Sequence, residues 1–292
     1  MVVLFGLLTA ASFGIGDFLA GLVARRTGAL TVVIHSQIVG AVGTTGAALL
    51  LAGAPVLADA LWGAAAGVML GLGFIIYYRA LVAGRMGIVA TITAVWTAIV
   101  PLAVGLAMGE RPSVVAIAGI ALVIVAIALV AHGGGKSDSP DSGRQRRSLF
   151  QGGFLTLRHG VAEATLAGVG FGLFIVFLDR AEADNPLWPA AWAMIASVVV
   201  VIGLVPVLRP VLRVPWRAMG IIALVGLAQA LGTLTLLLGV REGLLSIVAV
   251  AAALSPVPTA CCALLFLGER LSRQQLVGFC MALTGVVLMI SG

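Results

Sequence analysis

Long apolar runs, separated by short breaks rich in glycine, proline or charge, are the dominant pattern along this chain. Ten such runs can be marked, at roughly 2–23, 30–52, 61–83, 88–108, 113–131, 161–180, 187–208, 218–240, 245–267 and 274–291. A helix needs about 20 apolar residues to cross the hydrocarbon core of a bilayer, and the runs are close to that length. The pattern therefore predicts an all-α integral membrane protein with ten transmembrane helices.

The composition supports this prediction and excludes several classes of protein. Of 292 residues, 61% are hydrophobic and 10% are charged, whereas an average globular domain has about 25% charged residues. The missing charged surface must face lipid, which excludes a soluble enzyme, a disordered chain and a disulfide scaffold. Three cysteines lie in apolar runs without a CxxC pair, and we interpret them as packing residues. The sequence predicts no cofactor and no metal site.

Lysine and arginine are distributed unevenly among the connections. The net charge is +6, but the basic residues stand between apolar runs, so we expect no nucleic acid partner. Of the 17 basic residues, 14 lie in the odd-numbered connections, and the even-numbered ones hold Arg111, Arg180 and Arg241. The positive-inside rule then predicts cytoplasmic odd-numbered connections and both termini outside, in the plasma (inner) membrane. The first run lacks a basic segment before it and is expected to span rather than be cleaved.

The chain repeats itself at a fixed offset. The segment 109–113, Gly-Glu-Arg-Pro-Ser, returns 159 residues later as Gly-Glu-Arg-Leu-Ser at 268–272, and Gly73 and Gly119 return as Gly232 and Gly278. Five spans are an odd number, so the second half enters the membrane in the opposite direction, as in many secondary transporters. We predict two inverted five-helix repeats, 1–131 and 161–292, joined by a polar cytoplasmic linker over 132–160.

These features together resemble the EamA-type transporters of the drug/metabolite transporter (DMT) superfamily. The resemblance rests on ten spans in two halves, the small-residue first span of each half, and Gly-Glu-Arg-x-Ser before the fifth and tenth spans. It implies a ten-helix carrier with a central cavity between the halves, moving small organic solutes such as amino acids, metabolites or drugs, often with protons or by exchange. Two departures stand out. Family members mostly have cytoplasmic termini, and a basic residue common in the second span is replaced by His35 and Gln37.

Asp17 is the sharpest candidate for function because it is a carboxylate in the middle of a span. Placing a charge there costs about 2.5–3.5 kcal/mol on insertion scales, so it should face the protein interior or a wet cavity. Asp17 shares a helix face with Ala10, Gly14 and Gly21. Two interpretations stay open: a site for a proton or a substrate ammonium group, or a structural carboxylate bonded to backbone or to a neighbouring polar group.

Other polar and aromatic residues within the spans are candidate substrate-binding or coupling residues. His35 has three interpretations: it binds substrate, it titrates, or it forms a hydrogen bond to a neighbouring helix. Tyr77 has two: it belongs to an interfacial aromatic belt or it reaches the cavity. Trp96 lies in mid-span, and its equivalent in the second half is Ser255, before two prolines that should break the ninth helix. The set is Asp17, His35, Gln37, Tyr77, Trp96, Gln229 and Ser255. By contrast, the spacing of Gly63, Gly67 and Gly71 predicts close helix packing.

We therefore predict a secondary-active carrier, not an enzyme, that exports or exchanges a small organic metabolite or drug by alternating access, either coupled to protons or not. It would act in the lipid bilayer as a monomer or a homodimer. One alternative is a membrane enzyme, which needs clustered acids or metal ligands. Residues 14–17 spell the GxGD of intramembrane aspartyl proteases, but no Tyr-Asp pair supplies the second aspartate. The other alternative is a non-transporting sensor or assembly protein, which would tolerate loss of the polar cavity residues.

Overall fold

The computed structural model describes residues 1–83, 86–133, 153–181, 185–208, 212–268 and 272–291. Within these ranges the chain forms twelve helices. In chain order they are α1 (Val2–Thr27), α2 (Ala29–Leu51), α3 (Leu57–Ala83), α4 (Met86–Ala107), α5 (Val114–Gly133), α6 (Gly153–Asp179), α7 (Leu187–Gly203), α8 (Val205–Leu208), α9 (Trp216–Glu242), α10 (Leu245–Ala252), α11 (Pro256–Leu267) and α12 (Arg273–Ser291).

The predicted spans are found in the predicted order. Among the described residues, eight helical segments are long and apolar enough to cross a membrane, and two shorter apolar helices cover Ile92–Ala107 and Val114–Val130. α7 and α8 together form the seventh span, and α10 and α11 form the ninth. The protein is thus an all-α, multi-pass membrane protein.

Proline explains both interrupted spans. The ninth span stops at Ala252 and restarts at Pro256, with Pro258 two residues on, which confirms the predicted break. The seventh span is interrupted between Gly203 and Val205, next to Pro206. Proline lacks an N–H, and its ring clashes with the carbonyl four residues earlier, so the helical hydrogen bonds cannot run through these positions unchanged.

The predicted linker over 132–160 is partly helical. α5 continues to Gly133 and α6 already begins at Gly153, whereas residues 134–152 lie outside the described residues. The segment 154–159 contains neither glycine nor proline, so nothing in its local chemistry ends the helix where the apolar run ends.

The contacts between helices have the two-fold pattern of an inverted repeat. In this pattern α6 corresponds to α1, α7 to α2, α9 to α3, the broken ninth span to α4, and α12 to α5. The contact of α3 with α6 is matched by that of α9 with α1, and the contact of α3 with α7 by that of α9 with α2. The pairs α5–α12 and α2–α7 each join a helix to its own counterpart. The main contacts thus run between the repeats rather than within them.

Glycines at equivalent positions allow these contacts. Gly67 packs against the backbone of Ala193, at the carbonyl oxygen, and its counterpart Gly226 packs against the carbonyl oxygen of Ser36. No Cβ fits at either position. With Gly63 and Gly71 also seated on α7, the predicted packing role of this stripe is confirmed.

Aromatic rings and the last span of each repeat show the same symmetry. The ring of Phe171 covers Gly73, and the ring of Phe13 covers Gly232. In the α5–α12 pair, Gly119 packs on the backbone of Gly285, while Gly278 packs on that of Ala126. At the repeat offset of 159 residues, Gly119 corresponds to Gly278 and Ala126 to Gly285. The two contacts are therefore equivalent, and the sequence repeat is also a structural repeat.

The two ends of the helix bundle differ in their connections, and we name them accordingly. The odd face carries the connections that follow odd-numbered spans, including the single glycine between α1 and α2. Gly28 has a φ of 89°, and its N–H donates to the carbonyl of Ala24. Because only glycine enters this region without steric cost, it permits the abrupt reversal. The even face carries the remaining connections and both chain ends.

Replacing Gly67 by alanine should destabilise the protein, because the new methyl group meets the backbone of α7. We expect a loss of about 1–3 kcal/mol, the usual cost of overpacking. Gly226→Ala should have a similar effect, since it occupies the equivalent position. Thermal unfolding of the purified protein measures both. Gly46→Ala, where a Cβ meets nothing within 4 Å, is the control; equal midpoints for all three variants would contradict the packing role.

Candidate functional site

A cavity lies between helices of both repeats, nearer the odd face. Its walls come from α1, α2, α3 and α9, and its lining residues are Asp17, Ala20, Val32, Val33, Ser36, Gln37, Phe74, Val225 and Gln229. On each helix these positions lie in the half that ends at the odd face. The cavity therefore lies closer to the odd face than to the even face.

Asp17 faces the cavity rather than lipid. Its side chain is exposed. The side of α1 that faces lipid carries Leu4, Leu8 and Ile15. At about 100° per residue, Asp17 points about 160° around the helix axis from the centre of that side. In the described part of the chain, no hydrogen bond or ion pair involves its carboxylate. The structural interpretation of Asp17, as a carboxylate held by a neighbouring polar group, is therefore not met among these residues.

An aromatic side chain of the second repeat packs against the residues of α3 at the cavity. The ring of Phe171 on α6 packs edge-on against Phe74, with 5.2 Å between centroids, and against Tyr77 at 6.1 Å. Tyr77 is also close enough to Asp17 for an electrostatic interaction between them. The tyrosine thus stands beside the cavity rather than in an interfacial belt.

Two glutamines supply the other polar groups of the cavity. Gln37 is 1% exposed and donates its Nε2 to Ser197 Oγ of α7, 2.9 Å away. Its Oε1 is buried and has no hydrogen-bond partner among the described residues. Gln229 approaches from α9, and Thr233, one turn on, donates to its backbone carbonyl. An unpaired carboxylate and an unpaired amide oxygen favour a ligand that donates hydrogen bonds, and a positively charged one most of all.

Gly21 marks a path from the cavity toward the odd face. It follows Asp17 by one helical turn, is exposed, and has open space where a Cβ would be. By contrast, Gly14, one turn before Asp17, is tightly packed against Ser255 and Pro258. Along α1, the backbone is therefore closely packed at Gly14 and open at Gly21, nearer the odd face.

Four of the seven predicted site residues do not line this cavity: Tyr77 stands beside it, and the other three lie elsewhere. His35 turns its Nδ1 to the carbonyl of Thr31, 2.8 Å away on its own helix, rather than to a neighbouring helix. Trp96 packs at the α4–α6 contact, where its Cβ lies against Gly168. Ser255 occupies the break in the ninth span, with its carbonyl against Gly14. The cavity lining thus includes Asp17, Gln37 and Gln229, with Tyr77 beside it, and the other three residues lie outside.

Sequence reasoning missed several residues of the site. Ser36 lines the cavity with its hydroxyl bound to the carbonyl of Val33, and Ser197 fixes the amide of Gln37. The adjacency of Ser36 to Gln37 was the one available signal. Phe74 carries no sequence signal, since one apolar residue within an apolar span looks like any other.

The comparisons with known proteins agree with this architecture. The EamA-like transporter family matches residues 159–291, the second repeat. A solved crystal structure, described only as that of a protein, superposes with a TM-score of 0.77, covering 98% of this chain and 95% of that one at 15% identity. No curated protein matches the sequence significantly. The second repeat thus matches the EamA-like transporter family, and the whole chain shares the fold of the solved structure.

Proposed function

We propose that this protein is a secondary-active carrier of the plasma membrane that exports or exchanges a small organic solute by alternating access. The observation that carries the proposal is the unpaired carboxylate of Asp17, which faces a cavity between the two repeats. A carboxylate without a partner is costly inside a membrane protein unless it has a function. A binding site near the midplane, at the interface of inverted repeats, is also the arrangement that secondary transporters use.

In this proposal Asp17 binds either the coupling proton or a positively charged group of the solute. The amide oxygen of Gln37 accepts a hydrogen bond from the bound solute, and Gln229 contributes from the opposite repeat. Phe74 and Tyr77 form an aromatic wall against which a cationic or apolar group packs. His35, Trp96 and Ser255 act only indirectly, through helix packing.

The two repeats, 1–131 and 161–292, would move against each other around this cavity, with the 132–160 connection on the odd face. Because 14 of the 17 basic residues lie in the odd-numbered connections, we place the odd face in the cytoplasm. The cavity then opens inward, so the described conformation would load solute from the cytoplasm, as an exporter must.

Neutralising Asp17 should separate its two candidate roles. Asp17→Asn removes a charged acceptor, and we expect a loss on the order of 10- to 100-fold in solute affinity if it binds the solute. If it carries the coupling proton instead, exchange of solute for solute should persist while flux stops responding to a pH gradient. Flux in proteoliposomes measures both, with a solute first identified by thermal stabilisation in a panel of metabolites.

Asp17→Glu is the matched control, because it retains the carboxylate and should retain the pH response. Unchanged flux and unchanged pH dependence in Asp17→Asn would remove Asp17 from the mechanism. The same result would remove the observation on which the proposed function rests.

Filling the path at Gly21 should block transport without unfolding the protein. Gly21→Phe places a ring between the cavity and the odd face, and we expect flux to fall to background while the thermal midpoint changes little. Gly220→Phe is the control, because Gly220 is also exposed, near the odd face and free of neighbours within 4 Å, but does not belong to the cavity. Equal flux in the two variants would contradict the path.

The orientation can be tested by a reporter fused after Gly292. We expect alkaline phosphatase to be active there and green fluorescent protein to remain dark, since the even face is proposed to lie outside. A bright fluorescent fusion without phosphatase activity would reverse the orientation, and the cavity would then open to the outside.

A further inference from the structure

An apolar cluster lies between the cavity and the even face and closes that end of the helix bundle. Residues of α6, α9 and α10 form it, and we call them the even-face plug: Phe174, Leu178, Leu236, Leu237, Val248 and Ala249. Each is at most 3% exposed. A solute leaving the cavity toward the even face would have to pass between these helices, so α10 must move if that face is to open.

Glu110 holds the start of α10. Its Oε1 accepts the N–H of Leu245 at 2.5 Å, and its Oε2 accepts the N–H of Ser246 at 3.1 Å. These are the first two residues of the helix, whose N–H groups have no partner within it. A carboxylate is a strong acceptor for them, because charge and helix dipole act together.

α10 has no cap of its own. The residue at its N-cap position, Leu244, has no side-chain oxygen, and no side-chain capping bond is present there. The spans that follow the two Gly-Glu-Arg-x-Ser segments are capped locally instead. Ser113 accepts the N–H of Ala116 before α5, and Ser272 and Gln275 bond each other's backbone N–H before α12. Only α10, among these helix starts, depends on a distant residue.

That distant residue belongs to the other repeat. Glu110 lies in the connection between α4 and α5, whereas α10 is part of the second repeat. Gly105 makes room for the carboxylate, because a Cβ there would collide with it. Glu110 is half-buried and joins the two repeats.

We propose that Glu110 is a latch that holds the even face closed, and that its carboxylate must release the start of α10 before that face can open. This inference rests on the alternating access proposed above, but on residues outside the cavity. Release exposes two N–H groups of α10 to water, so the latch favours the conformation open at the odd face. Glu110 acts through α10 and has no contact with the solute.

Cysteine labelling tests the latch without any solute. In a background where Cys261, Cys262 and Cys280 are replaced by serine, Ala249→Cys reports opening of the even-face plug, and Gly21→Cys reports the odd-face path. A membrane-impermeant maleimide is applied from each side of oriented vesicles. Adding Glu110→Gln should raise the labelling rate at Ala249→Cys by about tenfold and lower that at Gly21→Cys, because two charge-assisted hydrogen bonds become neutral or are lost.

Gly105→Ala should shift both rates in the same directions, since it displaces the carboxylate while keeping its charge. Glu242→Gln, an exposed glutamate at the same face, should leave them unchanged. Rates in Glu110→Gln equal to those in Glu242→Gln would overturn the latch. So would faster labelling at both positions together, which indicates general loosening.

Failure of the proposed function would look different from failure of the latch. If Ala249→Cys never reacts from the even side, in the parent protein or in Glu110→Gln, there is no even-face-open state, and alternating access fails along with its latch. If labelling shifts as expected while Asp17→Asn leaves flux unchanged, the latch stands and only the role of Asp17 is lost.

Discussion

Close approach of helix backbones at glycine is the interaction on which the rest of the molecule depends. In lipid, apolar side chains gain little by leaving one apolar surface for another, so helices associate through packing at small residues. Here those residues lie mainly where one repeat meets the other, as at Gly67 on α7 and Gly226 on α2. The main helix contacts join one repeat to the other, so a cavity between the repeats follows from how the fold is held together.

The cavity lies where this close packing stops. Along α1, Gly6 and Gly14 are packed tightly, Asp17 lines the cavity, and Gly21 has open space where a Cβ would be. A polar side chain on the packed stretch would need a partner, whereas one at the opening is surrounded by accessible space. The same helix is thus closely packed toward the even face and less closely packed toward the odd face.

A structural feature could be predicted from the sequence only where its signal is local or periodic along the chain. Spans, the break at Pro256 and the repeat are visible in a single chain, because apolar length, proline and self-similarity are local or periodic properties. Asp17, Gln37 and Gln229 were found because polar residues are rare within spans. Trp96 was chosen by the same reasoning but packs between α4 and α6, and Phe74 and Glu110 were missed, because which faces meet is decided only by the folded arrangement.

The fold is symmetric, but the chemistry of the site is not. The repeat relates Phe13 to Phe171, and both rings cover equivalent glycines, yet the same offset relates Asp17 to the apolar Ile175 of the second repeat. The first repeat therefore supplies the charge, and the second supplies Gln229 and the aromatic support of the wall. Two conformations related by the inverted symmetry would use the same carboxylate from opposite sides. A symmetric copy of Asp17 would leave a repelling pair of carboxylates in the same cavity, so the asymmetry keeps a single charge there.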